Sequence, residues 1–391
     1  MRLDREILDI IDRYEKAGHE VYVVGGSLRD RLLGREAFDT DMTTSALPEQ
    51  TLSLFSDMRV IPTGIKHGTV TVLTPTGVPV EVTTYRTDGS YSDSRHPDSV
   101  TFTGSLSEDL ARRDFTVNAM AYSPKRGVVD LFEGEKDLKA GVIRCVGDPE
   151  KRFTEDVLRI LRAFRFSAQL AFEIEEETLS AALRLGGRIS LLARERVAAE
   201  LTKLLGAPKI ARVLEKMVTV MPYVLPGVAL DPDRFELCDF LPPDPVARLA
   251  LLVYGGDADG LAVGLRMSTA DRMRMRALSL PRKIPRSEGD VRRLMAEMQS
   301  LEDCALAVRI AGLIKAEDVD EVVALIGREA ERSPCLSISG LAVSGADLME
   351  IGVEKGRQMG EILRRLLDAV IETPELNDRE RLLDMARKLN K

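Results

Sequence analysis

Two hydrophobic rhythms divide the chain. From about Glu20 to Gly141, apolar residues come in short β-rich runs, "EVYVVGG", "GTVTVLT", "VPVEVTTYR" and "GVVDLF", separated by Gly, Pro and Asp. Such runs with such punctuation predict strands joined by tight connections. Helical spacing appears in "MRLDREILDIIDRYEKAG" and again after Gly26. From about Pro149 onward strand signals nearly vanish, and "TEDVLRILRAFRFSAQL", "RERVAAELTKLLG" and "GRQMGEILRRLLDAVIET" repeat apolar residues at helical intervals. The pattern predicts a mixed α/β head followed by a helical array. Pro and Gly cluster in "YVLPGVALDPDRF" and "DFLPPDPVARL", which read as connections between helical subdomains.

The stretch "VYVVGGSLRDRLLGREAFDTDMTTSA" reads as strand, turn, helix, strand. Gly25 and Gly26 let the backbone approach something closely, and Ser27 is a candidate cap for a helix ending at Gly34. A helix N-terminus beside a glycine turn offers free N–H groups to an anion, phosphate above all, with Arg29 in its first turn. If "FDTDM" is a strand, Asp39 and Asp41 share a face, because side chains alternate with period two. Two carboxylates held that close repel unless a cation lies between them, and hard oxygen donors suit Mg²⁺. Taken alone, the motif also permits two solvated acids. Glu81 is the candidate third carboxylate, since Val80 and Val82 would face the core and turn it the other way; an exposed strand glutamate is the alternative.

Composition narrows the field. A chain of 391 residues exceeds a typical single domain. It is 44% hydrophobic and 30% charged, with no apolar run near the roughly 20 residues of a membrane span. Its opening mixes acids and bases on an amphipathic helix, unlike a signal peptide. The four cysteines, Cys145, Cys238, Cys304 and Cys335, form no C-x-x-C pair, so neither a zinc site nor a disulfide framework is expected and a reducing cytoplasm fits. A net charge of −8 argues against polyanion binding over the whole surface, yet allows a local basic face.

Four successive motifs, "GGSLRDRLLGREAFDTD", "PTGIKHGTVTV", "DLARRDFTVNAMAY" and "TEDVLRILRAFRF", resemble those of the class II tRNA nucleotidyltransferases, the CCA-adding enzymes, and their bacterial poly(A) polymerase relatives. Together they span roughly Val21 to Phe166 in matching order. The resemblance implies an α+β fold: a DNA polymerase β-type nucleotidyltransferase head of mixed sheet and helices (1–145), then an all-α neck (146–205), body (206–305) and tail (306–391). It implies metal carboxylates at Asp39 and Asp41, a phosphate-binding turn at Gly25, Gly26 and Arg29, and a nucleotide contact at Arg113. It assigns Asp156 and Arg159 to the edge of the incoming base, and Arg162 and Arg165 to further nucleotide contacts. The polar loop "RTDGSYSDSRHPDSVTF", with Arg95 near its centre, resembles the family's flexible loop.

The neck motif has its own chemical logic. Asp156, Arg159, Arg162 and Arg165 recur every three residues on a predicted helix whose apolar side is Val157, Leu161, Phe164 and Ala168; a solvated charged face is the usual meaning of that pattern. A carboxylate accepts from the exocyclic amine of cytosine or adenine while a guanidinium donates to the adjacent ring acceptors. Histidine contributes little to the expectation. His67 and His96 read as loop bystanders, and the chain downstream of His96 contains none, so a His-Asp phosphohydrolase domain is not expected. The implied activity is addition of CCA to tRNA from CTP and ATP with Mg²⁺. An A-only enzyme, a poly(A) polymerase and a noncatalytic RNA-binding protein stay open as alternatives, and the oligomeric state is unspecified.

Overall fold

The alternation in "VPVEVTT" becomes a physical partition in the computed structural model, which describes residues 3–36, 40–89, 100–298 and 300–390. Strand β5 (Pro79–Thr84) buries Val80, Val82 and Thr84 and leaves Glu81 exposed on the opposite side. Burial of each valine is worth about 1.5–3 kcal/mol, which fixes the strand's register. Around β5 stand β1 (Val21–Val24), β2 (Thr40–Thr44), β3 (Val60–Gly64), β4 (Thr69–Leu73), β8 (Met120–Ser123) and β9 (Gly127–Asp130), in the order β3-β4-β5-β2-β1-β8-β9. The short pair β6 (Arg86–Asp88) and β7 (Val100–Phe102) forms a separate antiparallel ribbon. β2 is the pivotal strand: it runs antiparallel to β1 and parallel to β5, with Asp41 opposite both Val24 and Glu81.

Helices α1 (Arg5–Lys16), α2 (Gly25–Leu32), α3 (Pro48–Leu54), α4 (Leu106–Ala111) and α5 (Gly134–Ala140) accompany this sheet. Then come α6 (Pro149–Glu155), α7 (Leu158–Leu170), α8 (Glu176–Leu185) and α9 (Arg194–Leu205). Asp148 caps α6 by accepting from Glu150 and Lys151 N–H groups, and Pro149 occupies the position where no N–H is needed. On α7 the expected apolar side, Leu161, Phe164 and Ala168 with the preceding Val157, is buried.

One expectation fails here. The helix predicted to run through "TEDVLRILRAF" breaks at Asp156, whose backbone is extended at φ −135°, ψ 104°. Its carboxylate accepts from the Leu158 N–H at 3.1 Å and so starts α7 rather than continuing α6. Aspartate competes well for such a free N–H, which explains why an unbroken periodicity hides a break.

The chain divides into two compact units, Met1–Pro226 and Gly227–Lys391. The second is helical, with apolar clusters around Val308 and Leu366. Within it, the buried Arg292 pairs with Glu329 at 2.6 Å and donates to the carbonyls of Ile371 and Glu372, closing the end of the helix Arg357–Glu372. Among the described residues no helix is long and apolar enough to cross a membrane.

Candidate active site

The glycine turn at the end of β1 is tight for a steric reason. Gly25 has φ +71°, and a Cβ there would stand 3.3 Å from Asp41 Oδ2 and 3.5 Å from Arg113 Nη1. A side chain is thus excluded twice, by backbone conformation and by neighbours. The helix begins earlier than expected: α2 opens at Gly25, so Ser27 lies inside its first turn instead of capping it. The Ser27 hydroxyl donates to the Val24 carbonyl and accepts from the Asp41 N–H at 3.3 Å, tying turn to strand. Arg29 consequently falls in the second turn, where Asn118 Oδ1 accepts from its Nη1 at 2.8 Å and Asp30 from its Nε at 2.9 Å.

These groups line one cavity of about 750 Å³. The sheet contributes Asp41 and Glu81, adjacent in the parallel β2–β5 register; α2 contributes Gly25, Gly26 and Arg29; Arg113 follows α4. Asp156, Arg159, Arg162 and Arg165 complete it from the other side. Of the sequence-predicted site residues, Asp39 and Arg95 lie outside the described residues; all the others meet here. Nine Lys and Arg side chains stand against five carboxylates in the lining, a local excess of positive charge on a chain of net −8.

On the helical side each arginine is compensated. Arg159 pairs with Glu155 at 3.0 Å and donates to the Arg112 carbonyl at 2.9 Å. Arg162 donates to Asp114 Oδ2 through Nε at 2.8 Å. Arg165 Nε lies 2.6 Å from Glu200 Oε2, at an angle too bent for a hydrogen bond, and its Nη1 donates to Gln169. Asp156 Oδ1 faces Arg196 Nη2 at 3.5 Å. Phe166 gathers three of these cations, with the guanidinium carbons of Arg29, Arg162 and Arg165 at 5.2, 5.2 and 3.9 Å from its ring centre, each attracted to the π-face.

Burial pushes the Asp114 carboxyl up, but the Arg162 guanidinium outweighs it and holds the group down at about 2. Burial also weakens protonation of Arg113 and Arg165, with Asp109 and Glu200 opposing. Both arginines remain cations at neutral pH, since a guanidinium starts so high.

Several wall residues carried no assignment from sequence: Arg86, Arg112, Asp114, Asn118, Arg196 and Lys203. Arg112, Asp114 and Asn118 sit within the motif "RRDFTVNAM", which was the available signal. His67, expected to be a bystander, also lines the cavity, and its carbonyl accepts from Arg86 Nη1.

The donor set suits a divalent cation. Asp41 and Glu81 bring neighbouring carboxylate oxygens to one sheet face, the hard donors such ions require. Among the described residues no group of three or more His, Cys, Asp or Glu side chains gathers as a cage. So few carboxylates leave room for other oxygen donors, which suits a divalent ion held together with a ligand better than a closed structural site.

Comparison with known proteins places this geometry. The family described as "Poly A polymerase head domain" matches residues 21–144, that described as "Probable RNA and SrmB- binding site of polymerase A" matches 171–230, and that described as "tRNA nucleotidyltransferase domain 2 putative" matches 287–386. The CCA-adding enzyme of Leuconostoc mesenteroides is 37% identical over 99% of this chain and 98% of its own length. That of Ligilactobacillus salivarius is 34% identical over 98% and 96%. The crystal structure of the Bacillus stearothermophilus CCA-adding enzyme in complex with CTP superposes with a TM-score of 0.84 at 31% identity, covering 98% of this chain and 96% of that one. The chain belongs to the family of CCA-adding enzymes, the tRNA nucleotidyltransferases.

Proposed function

We propose that this protein adds CCA to the 3′ end of tRNA without a nucleic-acid template, taking CTP and ATP and releasing pyrophosphate at each addition, in the cytoplasm. The observation that carries the reading is a single cavity in which paired strand carboxylates face a wall of Asp156 and arginines. The tRNA 3′-hydroxyl attacks the α-phosphate in line: the new O–P bond forms, the bond to the β-phosphate oxygen breaks, and the hydroxyl proton leaves to solvent. Asp39, Asp41 and Glu81 would hold Mg²⁺, and a pair of such ions supplies Lewis acidity to the attacking hydroxyl and charge neutralisation to pyrophosphate.

The remaining residues bind and select. The Gly25–Gly26 turn, Arg29 and Arg113 receive the phosphates. Asp156 accepts from the amine of cytosine or adenine while Arg159 donates to the ring acceptors, and Arg162 and Arg165 hold the rest of the nucleotide. Uracil and guanine present a carbonyl where the amine is needed and leave buried partners unpaired, a defect that rejects analogues by roughly 10⁴ to 10⁵. In this reading 1–145 is the catalytic head, 146–205 the neck that reads the base, and 206–305 and 306–391 the body and tail that grip tRNA.

The test is product length. With CTP and ATP, a tRNA transcript lacking CCA gains three nucleotides and stalls, one ending in CC gains a single A, and an unstructured oligonucleotide is a poor acceptor. Long A tracts on the oligonucleotide would establish a poly(A) polymerase instead. Absence of C incorporation on the bare transcript, with one A added after CC, would establish an A-only enzyme.

A further inference from the structure

Behind the cavity wall sits a carboxylate to which no role has been assigned. Asp109, on α4, is fully buried and does not itself line the cavity, although Arg112 and Arg113 do. Arg112 grips its Oδ1 with a fork, Nε at 3.0 Å and Nη2 at 2.8 Å. Arg113 reaches its Oδ2 through Nη2 at 3.3 Å. One buried anion thus holds two consecutive guanidiniums that would otherwise repel each other and swing apart.

A third partner ties the cluster to the chemistry. The Thr43 hydroxyl lies 3.1 Å from Asp109 Oδ2 and 3.1 Å from the Thr83 carbonyl, sharing its one proton between them. Thr43 is two residues beyond Asp41 on β2 and so on the same face of the strand. Thr83 bears the same relation to Glu81 on β5. Arg113 gives one N–H of Nη2 to Asp109 and one of Nη1 to the Asn118 carbonyl at 3.5 Å, which leaves each of these terminal nitrogens a second N–H for a ligand in the cavity. Such a donor gains from an arriving acceptor, and a phosphate oxygen is the strong one for a guanidinium.

We propose that Asp109 is a positioning residue that sets Arg112 and Arg113 against the phosphates of the incoming nucleotide and, through Thr43, fixes their distance from Asp41. The inference rests on the nucleotidyl-transfer reading of the cavity. Asp109 touches no substrate; it acts through the arginines, so its loss is felt by the phosphates and not by the base.

The experiment compares ligands that carry only one of the two parts. In the full-length Asp109→Asn protein, affinity for CTP and for inorganic pyrophosphate falls about tenfold, the size of one or two charged hydrogen bonds, whereas affinity for cytidine stays within about twofold of the wild type. KM for CTP and ATP rises together while kcat changes little, and Asp109→Glu restores part of the loss. Equal weakening of cytidine and pyrophosphate, or unchanged pyrophosphate binding, overturns the proposal. If Asp109→Asn shows no cooperative melting transition, Thr43→Val is titrated with the same ligands: about a threefold loss on pyrophosphate and none on cytidine is expected for one hydrogen bond, and no loss on pyrophosphate overturns it. A wild-type protein that neither binds CTP nor extends tRNA would overturn the functional reading itself, a separate and distinguishable result.

Discussion

On the sheet wall of the cavity, Asp41 and Glu81 stand side by side with like charge, and Glu81 has no ion-pair partner among the described residues. On the helical wall, Arg159, Arg162 and Arg165 each face a carboxylate of the same chain, Glu155, Asp114 and Glu200. The Glu81 carboxylate keeps a charge that no ion pair among the described residues balances. The helical wall is balanced already, so in the proposed reading it would select by the direction of its hydrogen bonds more than by its net charge. Unit 2 supplies the control: Arg292 is buried and paired too, but its guanidinium donates to Glu329 and to the carbonyls of Ile371 and Glu372, and it closes a helix end without lining this cavity. A compensated buried arginine is therefore structural unless a cavity is left beside it.

The largest effect should come from breaking the sheet wall. Asp41→Asn removes a charge from the proposed cation site, and loss of several kcal/mol of transition-state stabilisation corresponds to a fall of about 10³-fold or more in rate. Single-turnover incorporation of labelled CTP measures it. Thermal stability should not fall, because the substitution relieves repulsion with Glu81. A variant turning over within tenfold of the wild type would remove Asp41 from the proposed cation site.

The helical wall should respond more mildly and more selectively. Asp156→Ala is expected to lower kcat/KM for CTP and ATP together by roughly 10- to 100-fold, the range of one hydrogen bond to a charged group, and to raise the relative use of UTP and GTP. The residue also caps α7 through the Leu158 N–H, so the alanine variant loses about 1 kcal/mol of stability as well. Asp156→Ser keeps a capping oxygen and separates the two effects. Loss of ATP use alone would show that the two bases do not share this acceptor.

Much of this was legible in the sequence, but unevenly. Runs of β-branched residues marked β1, β4, β5 and β9, because burial of one strand face imposes a visible alternation. Strand β3, "VIPTG", carries a proline and a glycine that read as a turn, and β8 hides inside a functional motif. Glu81 could be placed on its face from two flanking valines, yet its register with Asp41 comes from a parallel pairing that no local pattern announces. The three-residue spacing of Asp156, Arg159, Arg162 and Arg165 showed a polar side and concealed the break at Asp156. What remained hidden was the compensation: Asp114 meets Arg162 from 48 residues away, and Thr43 meets Asp109 from 66 residues away. Such partners are set by tertiary packing, which sequence spacing does not encode.

The smallest expected effect tests that compensation directly. Asp114 is buried, and its carboxyl is held at about 2, below the ordinary 3.8, because Arg162 outweighs the cost of burial. A carboxyl whose folded-state pKa is depressed contributes stability above its unfolded value and loses it as pH falls through the folded one. A depression of this size corresponds to about 2 kcal/mol, fully present at neutral pH and lost between about pH 4 and pH 2. Asp114→Asn should therefore unfold at lower denaturant concentration than the wild type at pH 7, and the gap should begin to close as the pH falls below 4. The asparagine can still accept from Arg162, so charge is the main quantity removed. A gap that holds down to about pH 4 and is roughly halved by pH 3 fits this sign; one unchanged at pH 3, or one already vanished at pH 5, would not. Closure that high would mean Asp114 titrates like an ordinary or raised carboxyl, and the helical wall would then carry the Arg162 charge without internal balance.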